Sequence, residues 1–118
     1  MRLNRGMMMY DLKIYKTEAG KEPYIDWLES LDRNVRARID SRITRIRKTG
    51  NLGVHAPVGA GVFELKLDFG PGYRVYFGFE RDVLLLLLLG GNKSCQQKDI
   101  DKAITYWRNH LSSTGVKK

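Results

Sequence analysis

The chain predicts an α+β domain: a mostly antiparallel sheet with a helical hairpin packed on one face, in the order β-α-α-β-β-β-α. Three observations predict it. Residues 10–15 and 62–79 alternate apolar with polar side chains, the period of strands. Residues 24–46 and 100–111 instead space their apolar side chains three and four apart, the period of helices. Gly70-Pro71-Gly72 joins two of the alternating runs, which makes them neighbours in an antiparallel hairpin.

The first strand is expected in "MYDLKIYK" (residues 9–16), with Tyr10, Leu12 and Ile14 on one side and Asp11, Lys13 and Tyr15 on the other. Pro23 stands near a helix start, followed by Tyr24, Trp27, Leu28 and Leu31 at helical spacing. Asp32 is placed to cap a second helix whose stripe is Val35, Ile39, Ile43 and Ile46, and Gly50 is placed to end it. Residues 51–61, punctuated by glycine and proline, are expected to form a loop. In the next strand Phe63, Leu65 and Leu67 oppose Glu64, Lys66 and Asp68. The strand after it sets Tyr73, Val75, Phe77 and Phe79 against Arg74, Tyr76 and Gly78. A tight turn at residues 80–82 leads to the run Val83–Leu89, apolar on both faces and therefore a central covered strand. Gly90-Gly91 is expected to bend out of the sheet. Ser94, with Gln97 three residues on, is expected to cap a final helix carrying Ile100, Ala103, Ile104, Trp107 and Leu111 on one stripe.

With 118 residues the chain has room for one core. The expected division is a flexible extension at 1–8, one domain at 9–111 and a frayed tail at 112–118. Apolar content of 42% and charged content of 29% are those of a globular protein. The seven-residue apolar run is far short of the roughly 20 needed to span a membrane, and the three methionines near the start are too few for a signal-peptide core. One cysteine, Cys95, and two histidines, His55 and His110, offer neither a disulfide nor zinc spacing. A cytoplasmic protein without metal or cofactor is expected, and no membrane partner.

Charge is the more informative quantity. The chain carries +8, and the segment from Arg33 to Lys48 holds seven basic residues against the single acid Asp40. Arg36, Arg38, Arg42, Arg45 and Arg47 fall outside the isoleucine stripe, so they are candidates to meet a polyanion or an acidic protein; a merely solvated helix face is the alternative. A nucleotide-binding loop is excluded at "LGGNKS", because Asn92 precedes Lys93 where a Walker A sequence needs glycine.

The polar sheet face is the other candidate. Alternation gathers Glu64, Lys66, Arg74 and Tyr76 on the side away from the helical hairpin, with Lys93 leaving the leucine strand towards them. Lys13 and Tyr15 join them if strand order allows. Arginine pairs with phosphate through two hydrogen bonds, lysine adds a point charge and tyrosine stacks on a base. Cross-strand ion pairs without a ligand would use the same residues. With no Ser–His–Asp set and no close carboxylate pair, ester and glycoside hydrolysis find no support. His55, in a loop, and His110, near a helix C-terminus, are read as surface and dipole-complementing residues, and Trp27 and Trp107 as core.

The strings "FELKLDFGPGYRVYF" and "LLLLGGNKSCQQKDIDKAITYW", preceded by a helical hairpin, resemble the small toxins of bacterial toxin–antitoxin modules. The resemblance is to the RelE/ParE superfamily, in its HigB-like, phage-derived addiction module killer protein branch, and it runs from about Tyr10 to Leu111. It implies ribosome-dependent, metal-independent mRNA cleavage by attack of a 2′-hydroxyl on the adjacent phosphate. It also implies a cognate antitoxin, of the helix-turn-helix kind, as partner beside the ribosome and mRNA. Within it Arg74 corresponds to the phosphate-binding arginine, Lys93 to the basic residue after the last core strand and Lys66 to the basic position of the preceding strand. Many such toxins carry a late tyrosine or histidine for proton transfer. This chain has none in "KSCQQKDID", leaving Tyr76, Glu64 or Asp99 to substitute. A gyrase-inhibiting ParE-like toxin, or a toxin reduced to antitoxin binding, is the alternative.

Overall fold

A computed structural model describes residues 10–81 and 84–113 of the chain. The expected extension at 1–8, Met9, Asp82 of the expected turn, Val83 of the expected central strand and residues 114–118 lie outside the described residues. Among the described residues nine elements follow one another: β1 (Asp11–Ile14), α1 (Pro23–Glu29), α2 (Arg33–Thr49), β2 (His55–Gly59), β3 (Val62–Leu67), β4 (Tyr73–Glu80), β5 (Leu84–Asn92), a 3₁₀ turn (Lys93–Cys95) and α3 (Gln96–Ser113). The fold is α+β, and its five strands run in the order β1-β5-β4-β3-β2. β1 and β5 pair parallel, and the other pairs among the described residues are antiparallel.

Two helical layers sandwich the sheet. On one face Tyr24 and Leu28 of α1 and Ile39, Ile43 and Ile46 of α2 pack with Leu65, Leu67, Tyr73, Val75, Phe77 and Leu87. Each fully buried isoleucine contributes about 1.5–3 kcal/mol by leaving water, which explains why a helix so rich in arginine is held to the sheet. Gly50 ends α2 in the left-handed conformation at φ 75°, a position where glycine avoids the Cβ clash. Asp32 does occupy the N-cap position of α2, but its side chain makes no capping bond; its carbonyl accepts from Arg36 N at 2.9 Å.

The helical hairpin thus packs on one face, as expected, and the opposite face carries α3. Ala103, Trp107 and Leu111 pack there with Val62, Tyr76, Leu86, Leu88 and Leu89. Trp107 lies across Gly78, where any Cβ would collide with its ring.

Three further expectations change. Residues 55–59 are a strand, not loop: β2 pairs with β3 (Ala56 opposite Glu64) at the edge of the sheet, where Pro57 costs no interior ladder bond. Gly90 and Gly91 do not leave the sheet but continue β5, opposite Val75 and Arg74. The 3₁₀ turn is capped by Asn92, whose Oδ1 accepts from Ser94 N at 3.0 Å and Ser94 Oγ at 2.6 Å; Gln97 donates to Asp101 instead of completing a capping box. The final helix also runs on through Ser112 and Ser113, past the expected end at 111.

A one-residue slip in register sets up the site. Tyr76 faces Leu89 while Phe77 faces Leu87, which leaves Leu88 as the extra residue of a bulge. Such an insertion inverts the facing of everything beyond it. Leu88 and Leu89 both meet the α3 layer, Gly90 then turns under Trp27 of α1, and Gly91 turns under Asp99 of α3. The two glycines are the places where side chains from both layers press onto the backbone of β5.

Candidate functional site

The antiparallel register of β3 and β4 sets Glu64 opposite Tyr76 and Lys66 opposite Arg74, and β5 brings Gly91 beside Arg74. The four polar side chains expected to share a face therefore do so. Glu64 and Tyr76 meet α3 there, and burial decides the chemistry of the face. Glu64 is 4% exposed, Arg74 7% and Tyr76 0%, whereas the Lys66 side chain keeps 36% of its surface.

Glu64 is the hub. Gln96 donates Nε2 to its Oε1 at 2.8 Å, Arg74 Nε stands 3.7 Å from the same oxygen, and Lys66 Nζ is 3.9 Å from Oε2. A polar group this buried needs such partners to offset its lost hydration. Arg74 donates Nη1 to its neighbour's carbonyl, Tyr73 O, at 3.1 Å, while its Nε makes no hydrogen bond among the described residues. The Tyr76 hydroxyl is likewise buried without a partner among them. Burial first, and then the carboxylates of Glu64 and Asp99, push the Tyr76 phenol far above its usual range, so it stays protonated. Asp99, lying against Gly91, is raised by burial against the opposing pull of Lys102 and Lys98.

The site opens at the β3–β4 turn. Lys93 N donates to Gly72 O at 2.8 Å, which ties the exit of β5 to the Gly-Pro-Gly turn. Gly72 sits at φ +84°, a conformation that favours glycine, with the Lys93 stem and the Arg74 Nη1 group packed beside it. Arg74, Lys93, Asp68 and Phe69 line a shallow pocket of about 260 Å³ here. A second, of about 410 Å³, adjoins it through Asp68 and Phe69 and is lined by Arg38, Arg42 and Arg45 of α2. Anionic ligands are what such a rim accommodates.

Other nominated residues lie elsewhere. Lys13 pairs with Leu86, five positions before Gly91 on β5, so strand order keeps it out of the cluster. Tyr15 is buried and stacked on Tyr106 of α3, with ring centroids 5.1 Å apart. Arg36 lines a crevice beside Ile25 and Leu28 of α1, and Arg47 is exposed on α2. Arg42 serves the fold instead, donating Nη1 to Lys66 O at 3.1 Å and Nη2 to Leu52 O at 2.9 Å. His110 stands in the last turn of α3, at the helix end where the sequence puts it, and is buried there; its Nε2 lies 3.3 Å from Glu80 Oε1. Gln96 was missed by the sequence reading. It stands four residues before Ile100, so the apolar stripe of α3 extended back by one step points to it.

Among the described residues no three His, Cys, Asp or Glu side chains group to hold a metal ion, and no helix is long and apolar enough to cross a membrane.

No family model matches the chain. A protein of Haemophilus influenzae named "Uncharacterized protein" is 48% identical to it over 79 residues, 65% of this chain and 78% of the relative. At that identity and coverage the chain belongs to the family of that protein.

Proposed function

We propose that this protein is a RelE/ParE-like toxin of the HigB-like branch, which cleaves mRNA on the ribosome and is neutralised by a helix-turn-helix antitoxin. The observation that carries the proposal is the convergence of Lys66, Arg74 and Lys93 on one rim of the sheet, beside the Gly-Pro-Gly turn. In the cleavage step the 2′-hydroxyl oxygen attacks the adjacent phosphorus as its proton passes to water, and the P–O5′ bond breaks with the 5′-oxygen taking a proton from water, producing a 2′,3′-cyclic phosphate and a 5′-hydroxyl. Arg74 and Lys93 neutralise the phosphoryl oxygens as negative charge builds on them. Glu64 acts as a positioning residue that aims Arg74 and Lys66, being already engaged by Gln96. Tyr76, protonated and enclosed, is no proton acceptor in this scheme.

A second reading is favoured by one observation. Glu64, Arg74 and Tyr76 are all buried, as in a protein that binds its target without cutting RNA, a gyrase inhibitor or an antitoxin-binding remnant. Primer extension on a defined mRNA in bacterial cell-free translation separates the two. The wild type is compared with Lys93→Ala, which alters only an exposed side chain, and with Arg74→Lys, and ribosomes are omitted in parallel. Cleavage that requires ribosomes and is lost in Lys93→Ala supports the nuclease. Intact mRNA together with inhibited DNA supercoiling supports the rival.

A further inference from the structure

The groove between α2 and the end of β3 is not used by that reaction scheme. Its cation, Arg38, is held in place: the guanidinium carbon lies 3.8 Å from the centroid of the Phe69 ring. Phe69 is itself braced by Tyr73, at 5.3 Å between centroids. The guanidinium plane is thereby fixed on its inner side while the residue stays exposed. Neither Arg38 nor Arg45 forms an ion pair among the described residues, and neither does Asp68. Arg42, at the back of the groove, spends its fork on neutral carbonyls and forms no ion pair among the described residues. Burial, followed by the nearby Arg45, holds its pKa below the usual value, while Asp68 opposes the shift.

Asp68 is the discriminating feature. It belongs to the wall shared by this groove and the Arg74–Lys93 pocket, so a carboxylate stands between two groups of cations. An acidic peptide would be repelled at its middle by that arrangement. A nucleotide chain fits it: phosphates meet the cations on either side, and the base between them brings hydrogen-bond donors to the carboxylate. Guanidinium planes stack on unpaired bases, and carboxylates accept from base amino groups. Guanine presents two adjacent donors on its pairing edge, whereas uracil presents one donor between two acceptors.

We propose that this groove is a subsite for one unpaired nucleotide of an RNA strand next to the Arg74–Lys93 pocket, and that Asp68 selects guanine there over uracil. Arg38 supplies the stacking plane and Arg45 a phosphate contact. The inference rests on the RNA-cleaving reading and names a recognition element for it.

The test uses fluorescent 2′-O-methyl hexanucleotides, whose blocked 2′-oxygen cannot attack, so binding is read without cleavage and without ribosomes. One is all uridine and the other carries a central guanosine. Wild-type anisotropy titrations are expected to give about tenfold tighter binding of the guanosine oligonucleotide. Asp68→Ala removes a negative charge, so it should bind both at least as well, with their affinity ratio falling to about one. Arg38→Lys keeps the charge but loses the plane, and should bind the guanosine oligonucleotide about fivefold more weakly. A wild-type ratio near one, a ratio unchanged in Asp68→Ala, or equal displacement by polyglutamate would each overturn the subsite. Base-selective binding without mRNA cleavage would retain it and remove the nuclease; cleavage without base selectivity would do the reverse.

Discussion

Replacing Arg42 with alanine separates two roles that an arginine in a basic helix can have. Arg42 ties α2 to the strand and loop beside it through Lys66 O at 3.1 Å and Leu52 O at 2.9 Å, with a long third contact to Val54 O at 3.5 Å. Hydrogen bonds from charged donors contribute about 1.5–3 kcal/mol each. Both bonds are only partly buried, so water replaces some of what is lost and the low end of that range applies. Two bonds then amount to about 3 kcal/mol. In a domain of this size about 1 kcal/mol moves Tm by roughly 4 °C, so Arg42→Ala should melt about 12 °C below wild type. Thermal denaturation followed by circular dichroism measures this directly. Arg45, exposed and unpaired among the described residues, is the comparison. Arg45→Ala should leave Tm nearly unchanged while lowering the salt dependence of RNA binding by about one counterion. If Arg42→Ala melted with the wild type and instead showed that lowered salt dependence, Arg42 would be a phosphate ligand, as its place in the basic run suggests, and the structural role would be wrong.

Three further outcomes follow from the packing. Gly90→Ala drives a methyl into the Trp27 ring, and overpacking of this kind should lower stability by about 2 kcal/mol or more; urea unfolding monitored by tryptophan fluorescence would show the shifted midpoint. Arg74→Ala removes one counter-charge from the buried Glu64 carboxylate and should cost about 3 kcal/mol, so a loss of activity in that variant is informative only if its denaturation curve is measured beside it. Asp99 has a folded pKa raised chiefly by burial. Its contribution to stability is full below the unfolded carboxyl value and is lost as pH rises through the folded one. Asp99→Asn should therefore melt above wild type at neutral pH, with the gap closing below about pH 4; a gap that widened on acidification would contradict this.

Much of the candidate site was legible because strand alternation is local. Glu64, Lys66, Arg74 and Tyr76 share a face for the simple reason that successive side chains point to opposite sides, and the Gly70–Gly72 turn fixes the pairing of their two strands. The α2 stripe and its Gly50 terminus are equally local. β2 escaped notice because an edge strand tolerates Pro57 and flanking glycines, whose usual meaning is a loop.

By itself, then, the sequence determined the fold class, the hairpin of β3 and β4, the amphipathic helices and the set of cations on one sheet face, since each depends on contacts between residues close in the chain. Only the tertiary structure decided what covers that face. No local pattern shows that α3 crosses to the side opposite α1 and α2, or that the Leu88 bulge turns Gly91 towards Asp99. Nor does any local pattern show that Gln96 reaches Glu64, 32 residues away in the chain, or that Arg42, on a helix face that looks free, closes on Lys66. These depend on how separate elements dock, which follows from the burial of apolar surface across the whole domain.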